Sequence, residues 1–326
     1  MSSSPLRDHT PAALVASYVS AQEDDIGGRQ REPDVERADP ERPVTVSRSS
    51  QRRPTAALWE NALVRASWAV GASVAVGVVA ACAGSAVGGR AVGGYSAPPW
   101  QLVPGEHVYS STVGHGRVSY LLYAPAGYSN RTRRWPLVVF LHGSGGIGTD
   151  PRLLEEHPLP QTLAATTRFP AVVFSPQLPP RLSWWSDLIP QVDALVRQFE
   201  ASYRIDPQRV YLTGLSLGGF GTWSYALQHP RRFAALVPIA GGYIQGSSAV
   251  PADICALRTM PIWVFHGADD TTVYPYQSEV LVRALRRCGS RVVRFTLYPG
   301  VDHVGTWPRA YRDPALWKWL FAQRRR

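Results

Sequence analysis

Residues 210–221 read Val-Tyr-Leu-Thr-Gly-Leu-Ser-Leu-Gly-Gly-Phe-Gly, and no other stretch restricts the fold as much. A β-branched and aromatic run meets an apolar-periodic segment (Phe220, Trp223, Leu227) through a turn with Ser216 at its apex. A G-x-S-x-G spacing between strand and helix forces a sharp turn, in which Gly214 and Gly218 leave no room for side chains beside the serine. The hydroxyl is then presented at the carboxyl end of a buried strand. The backbone N–H of Leu217 points where negative charge would form on a substrate oxygen. Ser216 is the candidate nucleophile, and the competing reading is a structural Gly-rich turn.

Around this elbow, short apolar runs alternate with helical patterns. Residues 108–113 and 118–123, joined through Gly114, His115 and Gly116, predict an antiparallel hairpin. Further strands are predicted at 137–142, 171–175, 210–213, 236–240, 262–266 and 292–298, several of them continuous apolar runs of the kind buried on both faces. Helices are predicted at 160–167, 187–203, 216–229, 275–288 and 314–323. The alternation predicts an α/β fold: a doubly wound, mostly parallel sheet of eight strands with helices on both faces. No stretch between strands is long enough for a large cap domain.

A serine hydroxyl is a poor nucleophile at neutral pH and needs a base, which in turn needs an orienting acid. Both follow Ser216 in the chain. His266, Gly267, Ala268, Asp269 and Asp270 come directly after a predicted buried strand, and Asp302 and His303 follow the last one. The pattern H-G-x-x-D-x-x-V over 266–273 puts Asp270 in the acid position and leaves Asp269 as a solvated or turn-capping neighbour. His303 is the only histidine after Asp270, so the order selects it as the base. His142 and His266 end strands, lack metal-ligand spacing, and read as loop-shaping residues. The glycine-rich loop 142–148 lets backbone approach a substrate oxygen, with the N–H of Ser144 as second oxyanion donor beside that of Leu217. It lacks the lysine of a phosphate-binding loop, which argues against nucleotide binding.

With Phe140–Gly148, Thr213–Trp223, Trp263–Val273 and Gly300–Trp307 in place, residues 105–323 resemble the α/β-hydrolase superfamily. The nearer likeness is to bacterial carboxylesterase/phospholipase-type esterases, including polyhydroxybutyrate depolymerase- or feruloyl esterase-like lipoproteins. The resemblance implies an α/β-hydrolase fold, a Ser216–His303–Asp270 triad, an acyl-enzyme, a small-molecule ester substrate, and no metal or cofactor. It does not name the substrate, because this fold hosts esterases, thioesterases, peptidases and lactone hydrolases. A serine peptidase, or a ligand-binding surface protein with a decayed site, are the competing functions. Trp184, Trp185 and Trp307 lie beyond predicted strand ends on the serine's edge, where aromatic walls favour an aryl or bulky apolar group. Alternatively, Trp184 and Trp185 cover a helix start.

The first hundred residues differ in kind. Residues 1–63 are rich in Ser, Pro, Arg, Asp and Glu and poor in large apolar residues, which predicts a disordered extension. Residues 64–82 carry Arg65, then an uncharged Ala/Val/Gly stretch ending Val79, Ala80, Ala81, Cys82. This resembles a bacterial lipoprotein signal with Cys82 as the lipidated residue; the alternative is an uncleaved membrane anchor. Export signals start near an N-terminus, so either translation begins further in or the extension stays attached. Both readings place the catalytic domain, residues 100–326 behind a Gly/Ser/Pro linker at 83–99, outside the cytoplasmic membrane. In that compartment Cys255 and Cys288 are candidates for a disulfide, because a helix returning antiparallel to its strand brings them together. The net charge of +10 is almost wholly arginine, with Lys318 the only lysine. No basic stripe with interleaved aromatics accompanies it, which argues against nucleic acid as a partner.

Overall fold

The computed structural model describes residues 102–114, 116–128 and 133–325. The expectations for the extension, the signal or anchor with Cys82, the linker, and the hairpin residue His115 lie outside these residues.

Alternation along each strand divides the apolar residues between two layers. In β3 (Trp135–Leu141), Leu137, Val139 and Leu141 enter one core, while Val138 and Phe140 enter the other. The first core also takes the buried stripes of α2 (Ile189–Ser202), α3 (Leu217–Gln228) and α4 (Tyr276–Arg287). The second takes those of α1 (Pro158–Ala164), α5 (His303–Tyr311) and α6 (Pro314–Ala322). Burial of each such Leu, Val or Phe side chain contributes about 1.5–3 kcal/mol, so both faces of the sheet must be covered.

The other strands are β1 (Gly105–Val113), β2 (Gly116–Ala124), β4 (Val172–Pro176), β5 (Ile205–Leu215), β6 (Ala235–Ile239), β7 (Ile262–Gly267) and β8 (Val293–Tyr298). They form one eight-stranded sheet in the order β1-β2-β4-β3-β5-β6-β7-β8. β1 pairs antiparallel with β2, and β2 with β4; all other pairs are parallel. This is the α/β-hydrolase architecture. In register, Leu141 lies beside Gly214, Leu215 beside Ile239, Ile239 beside Phe265, and Gly267 beside Tyr298. The loops after β3, β5, β6, β7 and β8 therefore open on one edge of the sheet.

Two elements depart from the sequence reading, β5 at its amino end and the helix after β8. β5 begins at Ile205, five residues earlier than expected, and its pairing with β3 is irregular between Trp135 and Leu137. The helix α5 is absent from the predicted elements because Gly305 and Pro308 both disfavour helix. It forms through its cap: the Asp302 side chain accepts from Gly305 N (2.7 Å), and Thr306 Oγ1 donates to Asp302 O (2.7 Å). Thr306, Ala310 and Tyr311 then pack inward. A disulfide joins Cys255, in the short helical turn Ile254–Leu257, to Cys288 at the end of α4, with Cα atoms 5.4 Å apart. No helix among the described residues is long and apolar enough to cross a membrane.

Candidate active site

Ser216 sits between β5 and α3 with φ 53° and ψ −120°, a conformation non-glycine residues adopt only where the surroundings impose it. Its N–H donates to Ile239 O (2.9 Å), and its carbonyl accepts from Phe220 N (3.1 Å), so β6 and α3 hold the strained residue from both sides. The glycines explain themselves by contact. A Cβ on Gly218 would strike the carbonyl oxygen of Leu141, and one on Gly214 would strike that of Gly218. Neither obstacle is a side chain that could swing away.

His303 opens α5 and reaches back to the serine. Its Nε2 lies 2.9 Å from Ser216 Oγ, and its Nδ1 lies 2.6 Å from Asp270 Oδ2. Asp270, only 2% exposed, follows β7. Its Oδ1 accepts from Thr272 N (2.9 Å) and Val273 N (2.8 Å). Burial alone would raise the Asp270 pKa, but hydrogen bonds from His266, His303 and Val273 N outweigh it and hold the carboxyl well below the usual carboxylate range. A permanently ionised acid fixes His303 with its proton on Nδ1, leaving Nε2 free to take the serine proton. Asp269 is exposed, and its backbone N–H donates to Val301 O.

The loop after β3 lies against the elbow: a Cβ on Gly143 would come within 3.4 Å of Ser216 Cβ. Ser144 begins the short turn Ser144–Gly146, and Leu217 begins α3. The N–H groups of a first helical turn have no acceptor within the helix, so both can face an incoming oxygen. Buried side chains from elsewhere anchor this loop. Gln177 Nε2 donates to Gly146 O (3.0 Å) and Asp150 O (2.9 Å). His142 Nε2 accepts from Leu178 N (2.9 Å), so His142 carries its proton on Nδ1 and gives it to Gly143 O. Burial drives the His142 pKa down to about 3, keeping the ring neutral.

The three tryptophans occupy different places. Trp185 is 1% exposed and donates from Nε1 to His142 O (3.1 Å), so it braces the loop after β3. Its Cβ would also collide with any side chain at Gly221. Trp184 is 40% exposed and packs edge-on against Phe220 with ring centroids 6.2 Å apart. Trp307, one turn along α5, meets the His303 ring edge-on at 5.2 Å. Exposed Ile244 and Tyr274 lie on the loops after β6 and β7, and exposed Val304 is the second residue of α5. Sequence reasoning did not single them out, because isolated apolar residues outside a predicted element carry no periodicity. It also passed over Gln177, an amide at a strand end whose role depends on a loop 27–31 residues away.

No family model matches the chain. By sequence it is 31% identical over 202 residues to a bifunctional acetylxylan esterase/xylanase from Neocallimastix patriciarum, covering 60% of this chain and 28% of that protein. It is also 31% identical over 135 residues to poly(3-hydroxyalkanoate) depolymerase C from Paucimonas lemoignei, covering 34% of this chain and 30% of that protein. The chain thus spans less than a third of either relative. Among solved structures, a thermostable esterase superposes with a TM-score of 0.57 at 33% identity, over 68% of this chain and 63% of its own. A dienelactone hydrolase-like protein from Klebsiella pneumoniae, 17% identical with a TM-score of 0.52, shares the fold. On the sheet order, the strained serine elbow and these relatives together, the chain has the α/β-hydrolase fold and is similar to esterases of that superfamily.

Proposed function

We propose that this chain is a serine carboxylic-ester hydrolase working through an acyl-enzyme. The observation that carries the reading is the continuous hydrogen-bonded line from Ser216 Oγ through His303 (2.9 Å, then 2.6 Å) to Asp270 Oδ2. Ser216 Oγ attacks the ester carbonyl carbon while its proton passes to His303 Nε2. The carbonyl oxygen becomes an oxyanion and accepts from the N–H groups of Leu217 and Ser144. Collapse breaks the carbon–oxygen bond, and the imidazolium returns its proton to the departing alcohol. A water, deprotonated by the same histidine, then releases the acid and restores the serine. Asp270 stays ionised throughout and stabilises the charged imidazole.

Exposed Trp184, Ile244, Tyr274 and Val304, which follow the carboxyl ends of β4, β6, β7 and β8, favour esters with an aryl or bulky apolar group. The stretch at 64–82 and the Cys255–Cys288 bridge support placement outside the cytoplasmic membrane, with Cys82 lipidated or the segment serving as an anchor. Ser216→Ala is expected to lower kcat on p-nitrophenyl esters by about 10⁴-fold or more and to abolish fluorophosphonate labelling. Undiminished ester turnover by that variant would overturn the assignment. A wild-type protein that prefers peptide anilides to esters would place it with the peptidases instead.

A further inference from the structure

His266 is fully buried at the end of β7, and each of its ring nitrogens has a partner. Nε2 lies 2.8 Å from Val273 O and 3.2 Å from Asp270 Oδ2. A carbonyl and a carboxylate only accept, so Nε2 carries the proton. On the other side, Nδ1 lies 2.8 Å from Ser278 Oγ, whose single hydroxyl proton lies between Nδ1 and Gly241 O, the latter also 2.8 Å away. Ser278 is a polar residue on the buried face of α4, which also carries Gln277, Leu281, Val282 and Leu285. Gly241, on the loop after β6, sits against Gly219 and Phe220 in the first turn of α3. One buried hydrogen-bond network therefore links the acid after β7, the core face of α4 and a loop packed against the serine elbow. The oxygen of Asp270 that faces His303 is the one His266 also reaches.

We propose that His266 is a positioning residue for the reaction, holding Asp270 Oδ2 and the turn at 270–273 through its Nε2–H and sharing that oxygen with His303. The proposal rests on the triad reading above. Two of its consequences separate it from simple core packing. The donor, not the ring's bulk, is what matters, so an amide that reaches the same place can substitute for it. In addition, a second donor on Oδ2 divides the carboxylate's charge between two imidazoles. Without it the charge is directed at His303 alone, which favours imidazolium and delays formation of the free base as pH rises. Among the described residues, Asp270 and His303 are the charged or titratable side chains hydrogen-bonded or paired within this cluster; α4 contributes only Ser278.

The test compares His266→Asn with His266→Gln in the full chain, using p-nitrophenyl acetate. The Asn amide replaces the Nδ1 side of the ring and stays beside Ser278 but falls short of Asp270. The Gln amide extends to the Nε2 position. Loss of one charge-assisted hydrogen bond is expected to lower kcat of His266→Asn by about ten- to hundred-fold. Its KM should stay within about two-fold, and the acid limb of its kcat/KM–pH profile should move at least about half a unit towards higher pH. His266→Gln should keep kcat within about three-fold of wild type, with its acid limb in place. Equal activity in both variants, or equal losses with unmoved limbs, would overturn the proposal. Failure of either variant to fold, judged by circular dichroism, assigns His266 a structural role and overturns it as well. Ser216→Ala in the same series keeps the two readings apart. If Ser216→Ala is inactive while His266→Asn matches wild type, only the positioning role falls; if Ser216→Ala still turns over ester, the triad reading falls first.

Discussion

Asp270 after β7 and Glu106 on the edge strand β1 are both buried carboxyl groups, yet they differ in the number of donors that surround them. Asp270 accepts from two backbone N–H groups and meets two imidazoles, and its pKa is held well below the usual range. Both Glu106 oxygens are buried with no hydrogen-bond partner among the described residues. Burial, with a lesser contribution from the nearby charge of Glu155, pushes its pKa up to about 8. Asp193 in α2 lies between them in kind: Arg197 Nε at 2.7 Å and Tyr225 OH at 2.9 Å donate to it, and Arg232 Nε approaches to 3.1 Å. Desolvation acts in the same direction on all three. Whether the buried form is charged is decided by the donors the fold brings to it. At the candidate site those donors hold an ionised acid beside His303; in α2 they serve stability; at the sheet edge none arrives among the described residues.

This contrast can be broken one residue at a time. The largest effect is expected at Asp270. Asp270→Asn keeps the shape but presents an amide donor to His303 and favours the wrong tautomer, so kcat on a p-nitrophenyl ester should fall by about 10⁴-fold. Stability measured by thermal melting should change far less. A loss below about ten-fold would remove Asp270 from the acid's role.

Next in size is Asp193→Ala, which leaves the guanidinium of Arg232, at 10% exposure, with Glu200 as its remaining acidic partner among the described residues. Breaking a buried pair from one side costs about 3 kcal/mol, a fall in Tm of about 6–12 °C for a domain of this size. Ester turnover at 25 °C should be nearly unchanged. Coincident loss of activity and stability would mean that α2 is coupled to the site.

The smallest effect belongs to Glu106→Gln, and its sign depends on pH. A carboxyl whose folded pKa, about 8, exceeds its unfolded value contributes stability that is present in acid and lost as pH rises towards 8. The wild type should therefore lose ground to Glu106→Gln between about pH 4.5 and 8. The variant should melt level with wild type near pH 4.5 and higher at pH 8.5, with the gap opening as pH rises. Equal melting across that range would mean that Glu106 has a partner or water access, and the comparison with Asp270 would lose its second member.

Much of this was legible beforehand, for identifiable reasons. Continuous apolar runs at 137–141 and 236–239 mark strands buried on both faces, and each of the eight strands forms where such a run or an alternating one was read. The elbow at 214–218 is a local steric pattern, readable because two glycines must clear backbone oxygens. The helix α5 was not legible, since Gly305 and Pro308 speak against it and only the Asp302 cap and inward packing speak for it. Nor could the adjacent Trp184 and Trp185 be told apart. One turns inward to the His142 carbonyl and the other outward to Phe220, a choice made by the space that Gly221 leaves.

By itself the amino-acid order determined the α/β alternation, the serine turn, and a serine–acid–histidine succession at strand ends, because these are periodic or short-range properties of the chain. Only the tertiary structure decided which donors surround each buried carboxyl. It gave Asp270 a second imidazole from His266, placed Ser278 behind that ring and left Glu106 without a hydrogen-bond partner among the described residues. A hydrogen bond needs its two atoms within about 3 Å, and here the atoms come from segments whose separation along the chain says nothing about their separation in space.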